Sequence, residues 1–337
     1  MIVVLKPGIA KKEEAAVLKE IRRLGYKPHV MRGVARTVVG AIGDERTHRD
    51  LEVLGSWPQV ESVTPIQKRY KLVSREAHAG NSTIHVRGHV IGGRKVQIMA
   101  GPCSVENEKQ LLTTARAVQK AGATFLRGGA FKPRTSPYEF QGLGEKGLKL
   151  LAKARRETGL PIVTELLSEQ HADLVAEYAD ILQIGTRNAQ NFQLLIAAAR
   201  TGKPVLLKRG LSMRIEEWLL AGEYVLANEN PNLLFCERGV RTFETYTRNL
   251  LDLSAIPILK KESHCPVVID PSQGSGRADL VAAMCKGAVA MGADALLIEV
   301  HPNPAEAWSD SAQQMTLEGF AKLMEELKPF LAAAGRE

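Results

Sequence analysis

The sequence predicts an α/β protein: a closed (β/α)8 TIM barrel preceded by a small α+β domain of ferredoxin-like pattern. Three observations carry this. From Val96 onward a strand and then a helix recur eight times, with apolar strand cores at Ile98, Phe125, Ile162, Ile181, Val205, Leu233, Val267 and Leu296, and eight such units close into a parallel barrel. Ahead of them, residues 1–66 read strand, helix, strand, strand, helix, strand, which is the ferredoxin-like order. Third, Cys103, Arg127, Glu165, Arg187, Lys208, Arg238, Asp270 and Glu299 each fall at the C-terminal end of one of the eight strands or just past it. Chance would scatter them over both rims, whereas barrels of this type carry chemistry at that one.

In chain order, Ile2–Leu5 is an apolar first strand, too short for a signal peptide, and Pro7-Gly8 breaks it. Val17, Leu18, Ile21 and Leu24 make a helical stripe that ends at Gly25. Val30 and residues 37–42 form a hairpin around Gly33, Leu51 and Leu54 belong to a short helix, and residues 60–63 close the pattern. A basic connector over 68–75 leads to a polar break at Gly80-Asn81-Ser82 and a glycine-containing hairpin over 84–91. The expected organisation is a small domain over 1–72, a linker over 73–81 and the barrel over 82–337.

A chain of 337 residues with 45% hydrophobic content can bury one large core and one small one. No apolar run approaches the roughly 20 residues that span a bilayer, so no membrane partner is expected. Cys103, Cys236, Cys265 and Cys285 form no CxxC pair, which fits a reducing, cytoplasmic compartment without disulfides. The net charge of +8 is spread among acids with no aromatic-interleaved basic patch, which argues against nucleic acid.

The sharpest cation cluster lies in the loop Leu126-Arg127-Gly128-Gly129-Ala130-Phe131-Lys132-Pro133-Arg134-Thr135-Ser136-Pro137. Residues 124–126 read as the end of a buried strand, the glycine pair permits a sharp turn, and Pro133 and Pro137 prevent helix. Arg127, Lys132 and Arg134 are thereby held on a stiff loop. An arginine offers a planar fork to phosphate or carboxylate and a lysine can also move a proton, so the mixture suits an anionic substrate undergoing chemistry.

Lys132-Pro133-Arg134-Thr135, with Arg127 five residues upstream, resembles the signature of 3-deoxy-D-arabino-heptulosonate 7-phosphate (DAHP) synthases, which join phosphoenolpyruvate to erythrose 4-phosphate. Gly101-Pro102-Cys103-Ser104, Gln141-Gly142-Leu143-Gly144, Ile184-Gly185-Thr186-Arg187-Asn188, Leu207-Lys208-Arg209-Gly210, Glu237-Arg238-Gly239 and Glu299-Val300-His301-Pro302 resemble the family in order and spacing. The first 72 residues resemble the ferredoxin-like domain of its type I beta branch. The resemblance implies that Arg127, Arg187, Lys208 and Arg238 hold phosphoenolpyruvate, with Glu165 in the same substrate set, and that Arg134 and Thr135 hold the second phosphate. Lys132 would protonate the aldehyde oxygen, with Cys103 and Asp270 as further catalytic residues. Arg209 and Arg241 read as surface ion pairs. The small domain would regulate by binding an aromatic amino acid, tyrosine or phenylalanine, with His29 as effector contact, in a homo-oligomer (dimer or tetramer).

One motif departs from the family. Its metal set is Cys, His, Glu and Asp; Cys103, Glu299 and Asp310 fit, but the usual Asp-Pro-Ser-His reads Asp270-Pro271-Ser272-Gln273. A glutamine offers only a neutral carbonyl oxygen. His264 and His301 have counterparts throughout the family, so neither is expected to compensate. Three readings follow in order: a weakly bound divalent metal (Mn, Fe, Co or Zn), catalysis without metal, or a catalytically impaired regulatory homologue. Retention of Lys132 and of the phosphate-binding cations argues for activity. A relative using arabinose 5-phosphate is the other alternative, and its Lys-Ala-Asn-Arg-Ser-Ser loop differs from the Lys132-Pro133-Arg134-Thr135 found here.

Overall fold

The computed structural model describes residues 1–33, 36–43, 50–64 and 69–337. These form two compact units, Met1–Arg69 and Tyr70–Glu337.

Among the described residues of the first unit the strands are β1 (Ile2–Leu5), β2 (Lys27–Arg32), β3 (Thr37–Ile42) and β4 (Val60–Thr64), with one α-helix, α1 (Lys11–Arg23). The sheet order is β2-β3-β1-β4 with antiparallel neighbours throughout, the ferredoxin-like arrangement. The period of two buries Val3 and Leu5 of β1 and Val39 and Ala41 of β3 in one cluster with Val17 and Ile21 of α1. The Glu13 carboxylate accepts from the Ala10 backbone N–H at 2.8 Å and so closes the first turn of α1. The expected second helix is a 3-10 segment, Leu51–Ser56, over the described residues. Its spacing explains this: Leu51 and Leu54, three apart, eclipse on one edge of a 3-10 turn, and both are fully buried. The stretch 44–49 that precedes it, and Lys68 of the basic connector, lie outside the described residues. His29 is exposed on β2, and alternation turns it away from the core that Val30 packs against.

The second unit opens with a hairpin, β5 (Ile84–Val86) and β6 (His89–Ile91). Its turn residues Arg87 and Gly88 have φ of 44° and 85°, the left-handed pair that matches the twist of a two-residue hairpin. Eight parallel strands follow: β7 (Gln97–Gly101), β8 (Phe125–Arg127), β9 (Ile162–Glu165), β10 (Ile181–Ile184), β11 (Val205–Lys208), β12 (Leu233–Glu237), β13 (Val267–Ile269) and β14 (Ala295–Glu299). Each pairs with the next and β14 pairs with β7, which closes the barrel. The intervening helices are α2 (Glu108–Lys120), α3 (Glu145–Thr158), α4 (Ala172–Tyr178), α5 (Phe192–Arg200), α6 (Ile215–Leu226), α7 (Ala255–Glu262), α8 (Pro271–Ser275) and α9 (Ala278–Ala290), with α10 (Leu317–Ala333) last.

Inward-facing Met99, Phe125, Val163, Leu206, Val268 and Leu297 fill the barrel and share one cluster with Ile84, Val86 and Ile91 of the hairpin. The hairpin stops the N-terminal end, where Gln97 donates to the Val90 carbonyl at 2.9 Å. The end of the expected small domain and the start of the expected linker are tied to the second unit: the backbone N–H groups of Lys71, Leu72 and Val73 all donate to the Glu223 carboxylate, Tyr70 and Val73 join the core between barrel and helices, and Arg75 donates to the Lys260 carbonyl.

Candidate active site

The C-terminal strand ends open into a cavity of about 330 Å³, a size suited to small-molecule substrates. Seven cations line it, Lys132, Arg134, Arg187, Lys208, Arg238, Arg241 and Arg248, against three carboxylates, Glu139, Glu165 and Asp310. That surplus calls for an anionic occupant.

The cations are placed by the strands. Arg127 ends β8 and is 5% exposed; its Nη1 donates to Glu299 Oε1 at 2.9 Å and to the Pro102 carbonyl at 3.1 Å. Lys208 ends β11 and donates to Asp270 Oδ2 at 2.6 Å. Arg238 follows β12, is 6% exposed and donates to Gln273 Oε1 at 2.8 Å. Buried Nε groups of both Arg127 and Arg238 have no partner, so each offers an unused donor. Arg187 reaches Thr135 Oγ1 at 3.4 Å, and Arg134 pairs with Glu139, so the two expected cation sets, Arg127 excepted, meet within one cavity. Glu165, which ends β9, accepts from Gln183 at 3.2 Å and lies against Gly185, where a Cβ would sit 2.0 Å from its carboxylate oxygen. Asp270 caps α8 by accepting from the Gln273 backbone N–H at 2.9 Å; between that bond and Lys208 its carboxylate positions its neighbours.

A second cluster abuts the first. Single donor atoms of Cys103, Glu299 and Asp310 lie within 4.8 Å of one another, the thiol-plus-carboxylate set expected from the sequence. Cys103 Sγ is 3.3 Å from Asp310 Oδ2 and 3.0 Å from Lys132 Nζ. Burial first, then Glu299, pushes the Cys103 thiol up to about 12. Burial would favour the neutral amine of Lys132, but Cys103, Glu299 and Glu165 outweigh it and hold the ammonium above the ordinary lysine range. For Asp310 burial is likewise outweighed, by Lys132 and Arg248, so the carboxyl is held well below its usual range. Gly129 makes the Lys132–Cys103 approach possible: a Cβ there would come 2.8 Å from Lys132 Cδ and 2.9 Å from the Cys103 carbonyl oxygen.

Gln273 sits at the fourth side of that triad with its amide nitrogen toward it, donating to Asp310 Oδ2 at 3.0 Å and to Glu299 Oε1 at 3.2 Å. The two carboxylates and the thiol, which gives up its proton on ligation, fit a divalent cation; Gln273 as placed offers it no oxygen. His264 is tied to the Leu72 carbonyl and Ser82, and His301 to Glu106.

Two expectations need correction. Arg209 is an ion pair, but a buried one: it is 7% exposed and bonds Glu237 and Asp252 at 2.9 Å each, because it points behind the strand that aims Lys208 inward. Arg241 lines the cavity and makes no ion pair among the described residues. Sequence reading missed Arg248, which donates to Asp310 Oδ1 at 3.0 Å; the Val240–Leu250 bridge folds its loop back over the rim. Gln313 and Gln314 were also missed. Gln313 donates to Glu299 Oε2 at 2.7 Å, and Gln314 accepts from the Cys103 backbone N–H at 3.1 Å; single glutamines carry no pattern that would mark them.

A barrel with buried, unsatisfied arginines at its C-terminal rim, beside a lysine held charged, is an enzyme acting on small molecules with several anionic groups. Residues 75–333 match the DAHP synthetase I family and residues 1–68 the DAHP synthase ferredoxin-like domain. Phospho-2-dehydro-3-deoxyheptonate aldolase of Thermotoga maritima is 49% identical over 335 residues, 99% of each chain. A crystal structure of the Thermotoga maritima DAHP synthase superposes with a TM-score of 0.95 at 48% identity, over 100% of this chain and 98% of that one. 2-Dehydro-3-deoxyphosphooctonate aldolase of Syntrophotalea carbinolica is 34% identical, over 70% of this chain and 91% of its own. The chain belongs to the DAHP synthetase I family: it is a transferase that condenses phosphoenolpyruvate with erythrose 4-phosphate and water to DAHP and phosphate, the first step of the shikimate pathway.

Proposed function

We propose that in this condensation Arg127, Arg187, Lys208 and Arg238, with Glu165, hold phosphoenolpyruvate, and Arg134 with Thr135 holds the phosphate of erythrose 4-phosphate; all of these but Arg127 line the one cavity. The observation behind the division is Lys132, whose Nζ lies 3.0 Å from Cys103 Sγ at the junction of the cationic and thiol–carboxylate clusters. Held protonated, it donates to the aldehyde oxygen as carbon 3 of phosphoenolpyruvate attacks the aldehyde carbon. Water then adds at carbon 2, the carbon–oxygen bond to phosphate breaks, and the ketone forms. Asp270 keeps Lys208 in place and Cys103 holds Lys132 in line.

Cys103, Glu299 and Asp310 would hold a divalent metal (Mn, Fe, Co or Zn), weakly because Gln273 replaces an imidazole; when bound, the ion supplies polarisation of a substrate oxygen. The residues 1–69 would bind an aromatic amino acid, with His29 on the exposed sheet face as a contact, in a homo-oligomeric enzyme of the cytoplasm. No helix among the described residues is long and apolar enough to cross a membrane.

The test is consumption of phosphoenolpyruvate by the metal-supplied protein with each sugar. Consumption that requires erythrose 4-phosphate is expected. Equal or faster consumption with arabinose 5-phosphate would assign the chain to the other chemistry.

A further inference from the structure

Gln273 has three side-chain partners, and their chemistry leaves one orientation. Arg238 Nη2 can only donate, so the amide oxygen must face it, at 2.8 Å; Glu299 and Asp310 as carboxylates only accept, so the amide nitrogen must face them, at 3.2 and 3.0 Å. Among the described residues Arg238 has no other strong partner. It makes no ion pair among the described residues, its Nε is buried and unsatisfied, and its one further bond is a 3.5 Å contact to the Gly239 carbonyl. A buried guanidinium with a single neutral anchor is oriented by that anchor while its charge stays free for a ligand.

We propose that Gln273 is a positioning residue that aims Arg238 at the phosphate of phosphoenolpyruvate, using the same amide that bridges Glu299 and Asp310. This rests on the reading that Arg238 takes that phosphate. An imidazole could not do both jobs: once one ring nitrogen binds a metal, the other carries a hydrogen and cannot accept from Arg238. The exchange of histidine for glutamine therefore trades metal affinity for a fixed arginine, and the site is retuned rather than damaged.

The experiment uses the full chain after chelation and measures phosphoenolpyruvate binding calorimetrically, without sugar or turnover. Gln273→Met, similar in volume but without the amide, is expected to weaken binding roughly tenfold or more. Gln273→Met combined with Arg238→Leu should bind no more weakly than Arg238→Leu alone, since the amide acts through the arginine. In steady state, Gln273→Met should raise KM for phosphoenolpyruvate more than it lowers kcat. Gln273→His should bind Mn2+ more tightly by electron paramagnetic resonance, and with Mn2+ bound should show a higher KM for phosphoenolpyruvate than wild type. Binding within twofold of wild type in Gln273→Met, or additive losses in the double variant, would overturn the proposal while leaving the overall activity intact. A wild-type chain that does not bind phosphoenolpyruvate would overturn the activity reading and this one together.

Discussion

The two ends of the barrel use the same residue types to opposite ends. At the N-terminal rim, Asp180 just before β10 accepts from Arg87, from Arg155 at 2.9 Å and from the Ile162 N–H at 2.8 Å. Asp294 just before β14 accepts from Lys260, from Arg336 at 3.2 Å and from the Val267 N–H at 2.8 Å. Both carboxylates are saturated there, each joined by two cations and a backbone donor. At the C-terminal rim the imbalance is reversed: Arg127 and Arg238 keep buried N–H groups with no partner. Saturated pairs hold strands and helices in register, whereas unsatisfied buried donors cost stability and make sense only if a ligand completes them. A functional charge is recognised by what it lacks.

The largest test of this contrast is Lys132→Met. Turnover is expected to fall roughly a hundredfold or more if the ammonium is the proton donor, with the melting midpoint unchanged or lowered, because Asp310 and Glu299 lose a buried cation that helps hold them ionised. A coupled assay and a thermal scan check both halves, and near-normal turnover would exclude the role. Metal removal comes next. Chelation should cut activity about tenfold or more, with recovery on adding Mn2+. Activity that is the same with and without chelator would mean that Lys132 and the arginines suffice alone.

A smaller effect concerns the first unit, which has no convergent polar cluster of its own among the described residues. A chain beginning at Tyr70 should keep the turnover of the whole protein and lose sensitivity to tyrosine or phenylalanine. The cut belongs there because Tyr70 and Val73 lie in the core of the barrel unit; starting at Ser82 would remove part of that core. A truncated form that stays fully sensitive would place the effector site on the barrel.

The period of the strands and the placement of charges made the barrel and most of the cleft legible in the sequence. Arg127 and Lys208 end their strands and Arg238 follows its strand by one position, so strand boundaries alone aim them. What stayed illegible depends on loops that return to the rim: Arg248 lies in the loop after β12, and Gln313 and Gln314 follow a left-handed residue, Asp310, at φ 47°. No local period marks such residues. Arg209 and Arg241 were misread for a related reason, since neighbouring positions on a strand end face opposite sides and a sequence does not say how far a loop folds back. Gln273 was legible as a departure, but its bond to Arg238 joins residues 35 positions apart and is set by tertiary packing.

The smallest effect tests the opposite rim. Asp180→Asn removes a charge that two arginines share, one of them half exposed, so the expected loss is ~2 kcal/mol, with kcat and KM unchanged because the rim is far from the chemistry. The pH dependence gives the sign. For Asp180 burial opposes ionisation, but Arg87, the Ile162 N–H and Arg155 outweigh it and hold the folded-state carboxyl below its ordinary value. A depressed carboxyl contributes stability that is fully present above the unfolded value, near 3.9, and is lost as pH falls through the lower folded value. The gap in melting midpoint between wild type and Asp180→Asn should therefore be constant above about pH 5 and narrow below about pH 4. A gap that widened on acidification, or a variant with wild-type stability and reduced turnover, would break the division between a rim that holds the barrel together and a rim that reacts.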